Sequence, residues 1–93
     1  MAMPLHVTEA EAAVLMLQRK RAQIVTRGHD LADERMSVTI QAQTYEPGAR
    51  ARLREINAEL GLLETDLRNT DNALSEAGKR LAIVQGQEQK EIA

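Results

Sequence analysis

The chain has 93 residues, with no Cys, Phe or Trp, a single Tyr, and a formal net charge of −2. A chain of this length forms one small domain, and its lack of aromatic residues argues against a ring-lined pocket for a small molecule. The absence of Cys excludes disulfides and thiolate chemistry, and the charge balance excludes a strong global attraction to nucleic acid or membranes. Hydrophobic residues make up 43% and charged residues 28%, a mixture typical of long helices and coiled coils.

The N-terminal segment Met1–His6 lacks the basic start and apolar core of a signal peptide. No apolar run approaches the roughly 18 residues that span a bilayer. We therefore expect the protein in the cytoplasm, or within a particle assembled there, with no membrane partner.

The first predicted helix runs over about residues 8–43. Its start is indicated by Thr8 and Glu11, which have the spacing of a capping box. Apolar residues then recur at helical spacing, at Ala10, Val14, Leu17, Ile24, Leu31 and Val38.

Two segments leave alternatives open within this helix. Gly28 costs about 1 kcal/mol relative to Ala in a helix, and Asp30 could cap a new helix after a break. Residues 37–44 alternate polar and apolar and are rich in β-branched side chains, as in a strand. No second strand pattern occurs to pair with them, so we interpret this segment as the end of the helix.

A turn is predicted at residues 44–47, with Pro47 as the first residue of a second helix over about 47–85. This helix has apolar residues at alternating spacings of three and four over about five heptads, the pattern of a coiled-coil seam. The heptad leucines are Leu53, Leu60, Leu67, Leu74 and Leu81. We expect the helix to end near Gly86 and residues 86–93 to form a frayed tail.

The two helices are predicted to pair as an antiparallel hairpin, in which facing seam residues have numbers that sum to 91. The apolar layers are Ala10 with Leu81, Leu17 with Leu74, Ile24 with Leu67, Leu31 with Leu60, and Val38 with Leu53. The same register places Arg21, Gly28 and Arg35 in less apolar layers. It also predicts the ion pairs Lys20–Asp71, Arg27–Glu64, Arg35–Glu55, and Glu11 with Lys79 or Arg80. The alternative, a parallel zipper of second helices, lacks these coincidences.

A second apolar stripe lies on the first helix beside this seam. Its residues are Leu15, Ala22, Val25, Ala32, Met36 and Ile40. A helix with two apolar stripes packs against more than one neighbour. We therefore expect self-association into a four-helix-bundle dimer or higher oligomer, or a docking face for another protein.

Catalytic and metal-binding patterns are lacking. His29 and Asp33 have a spacing that could chelate a metal, but a transition-metal site needs three or four convergent ligands. The Ser and Thr residues have no nearby base, and no Gly-rich phosphate-binding loop occurs. We expect no enzymatic activity, no cofactor and no small-molecule substrate.

Five arginines form candidate anion-binding clusters: Arg19, Arg21, Arg50, Arg52 and Arg54. Arg50 and Arg54 share a helix face and could bind phosphate or an acidic protein surface. The local alternative is pairing with nearby acids such as Glu46 and Glu55. Since no aromatic residues accompany them to stack bases, nucleic-acid binding is the weaker interpretation.

The sequence predicts a non-catalytic helical module that binds itself and another protein, such as an adaptor, assembly factor or chaperone in a bacterial or phage-type complex. A small nucleic-acid-associated regulator that uses the arginines is the first alternative. The second is a protein inhibitor whose acidic face, around Asp30, Asp33 and Glu34, covers a basic site on its target.

Overall fold

The computed structural model describes residues 5–44 and 46–92, and the side chains of residues 7–44 and 46–87. These residues form two helices, α1 (Leu5–Gln43) and α2 (Ala49–Ile92), which pack against each other as a hairpin. No strand occurs in the described ranges, and the predicted all-α hairpin is confirmed. Tyr45 of the predicted turn and the two ends of the predicted 1–93 domain lie outside the described residues.

Helix α1 is continuous through both segments that left alternatives open. Gly28 lies inside it, and the β-branched segment after residue 37 is helical as far as Gln43. The Thr39 hydroxyl donates a 2.7 Å hydrogen bond to the Arg35 carbonyl, and the Thr44 hydroxyl lies 3.0 Å from the Gln41 carbonyl. Such bonds satisfy the hydroxyls within the helix, so β-branching does not divert this segment into a strand.

The predicted start of α1 at Thr8 is wrong by three residues, since the helix begins at Leu5. Thr8 is the fourth helical residue and therefore cannot be the cap that precedes the first turn. The capping-box spacing to Glu11 occurs here within a helix, where the two residues are one turn apart.

The helix start predicted at Pro47 is also wrong, because α2 begins at Ala49. Gly48 has a φ of 86°, in the left-handed region that is incompatible with a right-handed helix. Its carbonyl accepts the first helical hydrogen bond from the Arg52 amide at 2.9 Å, and the Ala49 amide bonds the Glu46 carbonyl at 3.2 Å. Gly48 therefore fixes the point at which the chain reverses direction.

Helix α2 continues through Gly86 to Ile92, beyond the end predicted near Gly86. An isolated Gly costs about 1 kcal/mol in a helix and does not by itself end one. The residues that follow it are mostly Gln, Glu and Lys, which favour helix, and no Pro occurs among them.

The hairpin contains two compact units, one formed by residues 22–68 and one by residues 1–21 and 69–93. In the 22–68 unit the core is a cluster of Leu31, Val38, Ala42, Ala49 and Ile56, with Leu53, Leu60 and Leu63 packed against it. Leu31 and Ile56 are 1% and 0% exposed. The predicted partners Leu31 and Leu60, and Val38 and Leu53, lie in this one cluster.

Among the residues whose side chains are described, the other unit has fewer buried ones. Val7 and Thr70 are buried, whereas Leu74, Ala77 and Leu81 at the predicted seam positions are half-buried. Arg21 Nε lies 2.7 Å from Asp71 Oδ1. The Arg21 side chain is about half exposed, as expected of an arginine that extends from a seam position into solvent.

We predict that Gly48→Ala lowers the free energy of unfolding by about 1 kcal/mol, because an L-residue is strained in the left-handed region. Gly61→Ala is the matched control, since Gly61 lies mid-helix and a Cβ there would meet nothing within 4 Å. That change should raise the free energy of unfolding by about 0.5–1 kcal/mol. Urea unfolding at one fixed protein concentration measures both, and equal effects of the two changes would contradict this account of the turn.

Candidate interaction surface

Two sides of the hairpin seam in the 22–68 unit differ in chemistry. Arg27 and Glu34 on α1 each directly precede a seam position, as do Arg52 and Glu59 on α2. Residues that precede such positions on antiparallel helices lie on the same side of the seam. We call these four residues, together with Glu55, the charged flank.

Ion pairs connect α1 and α2 along the charged flank. Arg27 binds Glu59 through two hydrogen bonds, with Nε to Oε1 at 2.8 Å and Nη2 to Oε2 at 3.0 Å. Arg52 binds Glu34 in the same way, with Nε to Oε2 at 2.6 Å and Nη2 to Oε1 at 2.7 Å. The Nη1 atom of Arg52 also lies 3.3 Å from Glu55 Oε2. Such two-point pairing fixes the relative position of the side chains more strictly than a single contact does.

The arginines of the charged flank stabilise the ionised carboxylates. The hydrogen bond from Arg52 lowers the pKa of Glu34 below its ordinary value, and the hydrogen bond from Arg27 lowers the pKa of Glu59. The same hydrogen bonds raise the pKa of each arginine. Because these side chains are partly exposed, solvent screens the ion pairs, which therefore add little to the free energy of unfolding. Their main effect is to fix how α1 and α2 are aligned along their length.

The ion pairs predicted from the seam register are wrong in their partners. Arg27 binds Glu59 rather than Glu64, Asp71 binds Arg21 rather than Lys20, and Glu55 binds Arg52 rather than Arg35. Lys79 binds Glu76, three residues before it, rather than Glu11. Glu64 and Asp71 follow seam residues whereas Arg27 and Lys20 precede them, so each predicted pair lies on opposite sides of the seam.

The opposite side of α1 from the charged flank carries exposed apolar residues. We call the residues Ala22, Val25, Ala32, Met36 and Ile40 the apolar stripe. Val25 and Ala32 directly follow the buried seam residues Ile24 and Leu31 and are half-buried, whereas Met36 and Ile40 are 72% and 68% exposed. The predicted stripe residue Leu15 is also exposed and belongs to the other unit.

A groove opens beside the apolar stripe and was not predicted from the sequence. Its lining consists of Ile24, Val25, Gly28, His29, Leu60, Leu63, Glu64 and Leu67. A Cβ at Gly28 would meet nothing within 4 Å, so the missing side chain contributes to the open space. The sequence signal was Gly28 itself, which the seam register had marked only as an imperfect layer.

Of the five candidate anion-binding arginines, Arg19 and Arg21 belong to one unit, whereas Arg50, Arg52 and Arg54 belong to the other. Arg21 is paired with Asp71, and Arg52 with Glu34 and Glu55. Arg50 and Arg54 near the start of α2 are exposed, as is Arg19 on α1. Two of the five side chains are therefore used in ion pairs within the hairpin.

The three acidic residues predicted as an inhibitor surface differ in their surroundings. Glu34 belongs to the charged flank and is held by Arg52, whereas Asp30 and Asp33 are exposed. Among the described residues, no group of three or more His, Asp or Glu side chains is placed to hold a metal ion. Within the same ranges, neither helix has a stretch long and apolar enough to cross a membrane.

No protein-family model, curated protein or solved structure matches the chain. The geometry of the two sides of the seam is therefore the basis for a functional assignment.

We predict that Glu34 and Glu59 make the hairpin lose stability in acid. Their folded-state pKa values lie below the ordinary value of about 4.5, so their contribution is fully present above that pH. It is lost as the pH falls through the lower, folded-state values. Thermal unfolding of the wild type and of the Glu34→Gln/Glu59→Gln variant should therefore differ at about pH 7, and the difference should shrink as the pH falls below the ordinary carboxylate value of about 4.5.

Glu64→Gln is the matched control for the acid experiment, because Glu64 lies in the same unit and forms no ion pair among the described residues. It should change the unfolding midpoint at pH 7 less than the double substitution does. Equal shifts from both variants would contradict the assignment of the acid sensitivity to the charged flank.

Proposed function

We propose that the protein is a non-catalytic helical module for protein–protein interaction, acting as an oligomeric adaptor, assembly factor or chaperone in a larger complex. The apolar stripe of the 22–68 unit is its binding face. The observation that carries the proposal is the exposure of Met36 and Ile40 on the same helix face as Val25 and Ala32, next to an apolar groove.

The distribution of charge supports the choice of this face. The charged flank pairs its arginines with carboxylates within the hairpin, and breaking such pairs to bind a partner would leave charges without their counterions. The apolar stripe has no internal pairs to break, and covering it removes apolar area from water. Helix α1 is also less amphipathic than α2, as expected of a helix with apolar residues on two faces.

The proposal assigns no catalytic role to any residue. The exposed arginines and carboxylates lie on helix faces rather than in a closed, dry cleft, which acid–base catalysis requires. The groove at Gly28 is open and mainly apolar, with His29 and Glu64 as its titratable residues. Such a surface is suited to receiving apolar side chains of a partner.

The double substitution Val25→Asp/Met36→Asp tests this function. It should leave the helical circular dichroism signal unchanged, because neither side chain belongs to the buried core. It should weaken association by about 100-fold or more, since each lost apolar contact contributes about 1.5–3 kcal/mol. The measurement is capture of identified partners by tagged protein from a lysate of the source cells, together with mass in solution.

Leu62→Asp is the control substitution. Leu62 is 69% exposed and lies on α2 three residues after Glu59, on the side of the charged flank. It should leave association unchanged. A double variant that keeps the same solution mass and the same captured proteins as the wild type would refute the proposed function.

A further inference from the structure

Four residues of the apolar stripe, all but Ile40, belong to a second heptad seam on α1. Ala22, Val25, His29, Ala32, Met36 and Thr39 follow one another at alternating spacings of three and four residues. This is the spacing by which a helix meets a second helix along a coiled-coil seam. Thr39 fits such a seam because its hydroxyl is bonded to the Arg35 carbonyl, which leaves its methyl group as the outward apolar contribution.

The surface area of the chain fits a dimer. The chain of 10.3 kDa exposes 7093 Å², whereas a compact monomer of that mass exposes about 5,400 Å². The excess is about 1,700 Å², and a stable interface of standard size buries about 800 Å² on each partner. The excess is therefore about twice the area that one partner of a standard dimer buries.

We propose that a second copy of this chain packs on the apolar stripe, with the two α1 helices antiparallel and related by a two-fold axis near residue 31. This inference rests on the proposed function and names its partner. Facing residues then have numbers that sum to 61. The layers are Ala22 with Thr39, Val25 with Met36, and His29 with Ala32, each formed twice by symmetry.

The sizes of the side chains favour the antiparallel arrangement. Each of these layers pairs a smaller side chain with a larger one, so that the space between the helices is filled evenly. A parallel arrangement would instead face Ala32 with Ala32 and His29 with His29, which leaves a void in one layer and crowds the next. In the antiparallel register, Met36 of one copy also packs on Val25 of the other copy, at the edge of the groove beside Gly28.

The borders of the second seam are compatible with a second copy. Arg35 comes beside Gly28 of the other copy, where the absence of a side chain leaves room. On the opposite border, Asp33 of one copy lies near two residues of the other copy, Thr26 and, across the two-fold axis, Asp33. This carboxylate pair opposes association, as does Arg35 near Arg21 of the other copy, which have the same offset as Arg27 and Glu59 across the first seam. Both like-charge contacts are exposed to solvent, and salt screens them.

Solution mass is the first test, on the full chain. The purified protein should have twice the mass of the 10.3 kDa chain at concentrations of about 100 µM. Met36→Asp should raise the dimer dissociation constant about 100-fold, because the substitution occurs twice in each dimer. Leu62→Asp, at a position of nearly equal exposure (69% against 72%), should leave the constant unchanged.

Disulfide crosslinking tests the orientation, since the chain contains no native Cys. Val25→Cys and Met36→Cys are prepared as separate proteins with different tags and are oxidised alone and mixed. Only the mixture should form a disulfide, which joins the Val25→Cys protein to the Met36→Cys protein. In the antiparallel register each engineered Cys is offset from its own symmetry mate by about 16 Å along the helix, beyond the roughly 7 Å that a disulfide allows between Cα atoms.

Several outcomes would overturn this inference. Crosslinking of each variant with itself would show a parallel dimer. Equal loss of the dimer in Leu62→Asp and Met36→Asp would show that the apolar stripe is not the interface. A purified chain that stays monomeric, while Val25 and Met36 are required for capture of a different protein, would overturn the second copy as partner and leave the proposed function standing.

Discussion

The limiting constraint on this protein is that two helices bury only the faces they turn toward each other. In the 22–68 unit the described residues of those faces form a core of Leu, Ile, Val and Ala. Each helix is covered along one seam, and the remaining faces meet solvent. The ion pairs and the exposed apolar residues lie on either side of this seam. The turn at Gly48 connects the two helices that form it.

The charged flank and the apolar stripe lie on opposite sides of the seam and differ in chemistry. Arg27 with Glu59, and Glu34 with Arg52, reverse the order of charge from one heptad to the next. A shift of α2 along α1 by one heptad would bring like charges together, so these pairs oppose that slip even though each contributes little stability. The residues of the apolar stripe form no ion pairs, so this side of the seam carries no such restriction.

The heptad pattern was sufficient to predict the hairpin and its seam, because side chains repeating at three and four residues must share one helix face. The facing-number sum of 91 alone was insufficient for the ion pairs, because it gives level along the helices and not the side of the seam, which depends on whether a residue precedes or follows a seam position. The helix start at Ala49 also escaped prediction, since the φ of Gly48 depends on how the chain reverses. The groove beside Gly28 arises only when Leu60 and Leu63 lie opposite a missing side chain.

The two seams of α1 have different consequences for mutation. Leu31 and Ile56 are inaccessible to solvent, so their truncation creates cavities and costs stability within one chain. Met36 and Ile40 are largely exposed in the single chain, so their replacement removes nothing from its core. A substitution in the proposed second seam, such as Met36→Asp, is therefore expected to reduce association without a loss of helicity, which would separate the proposed binding from folding.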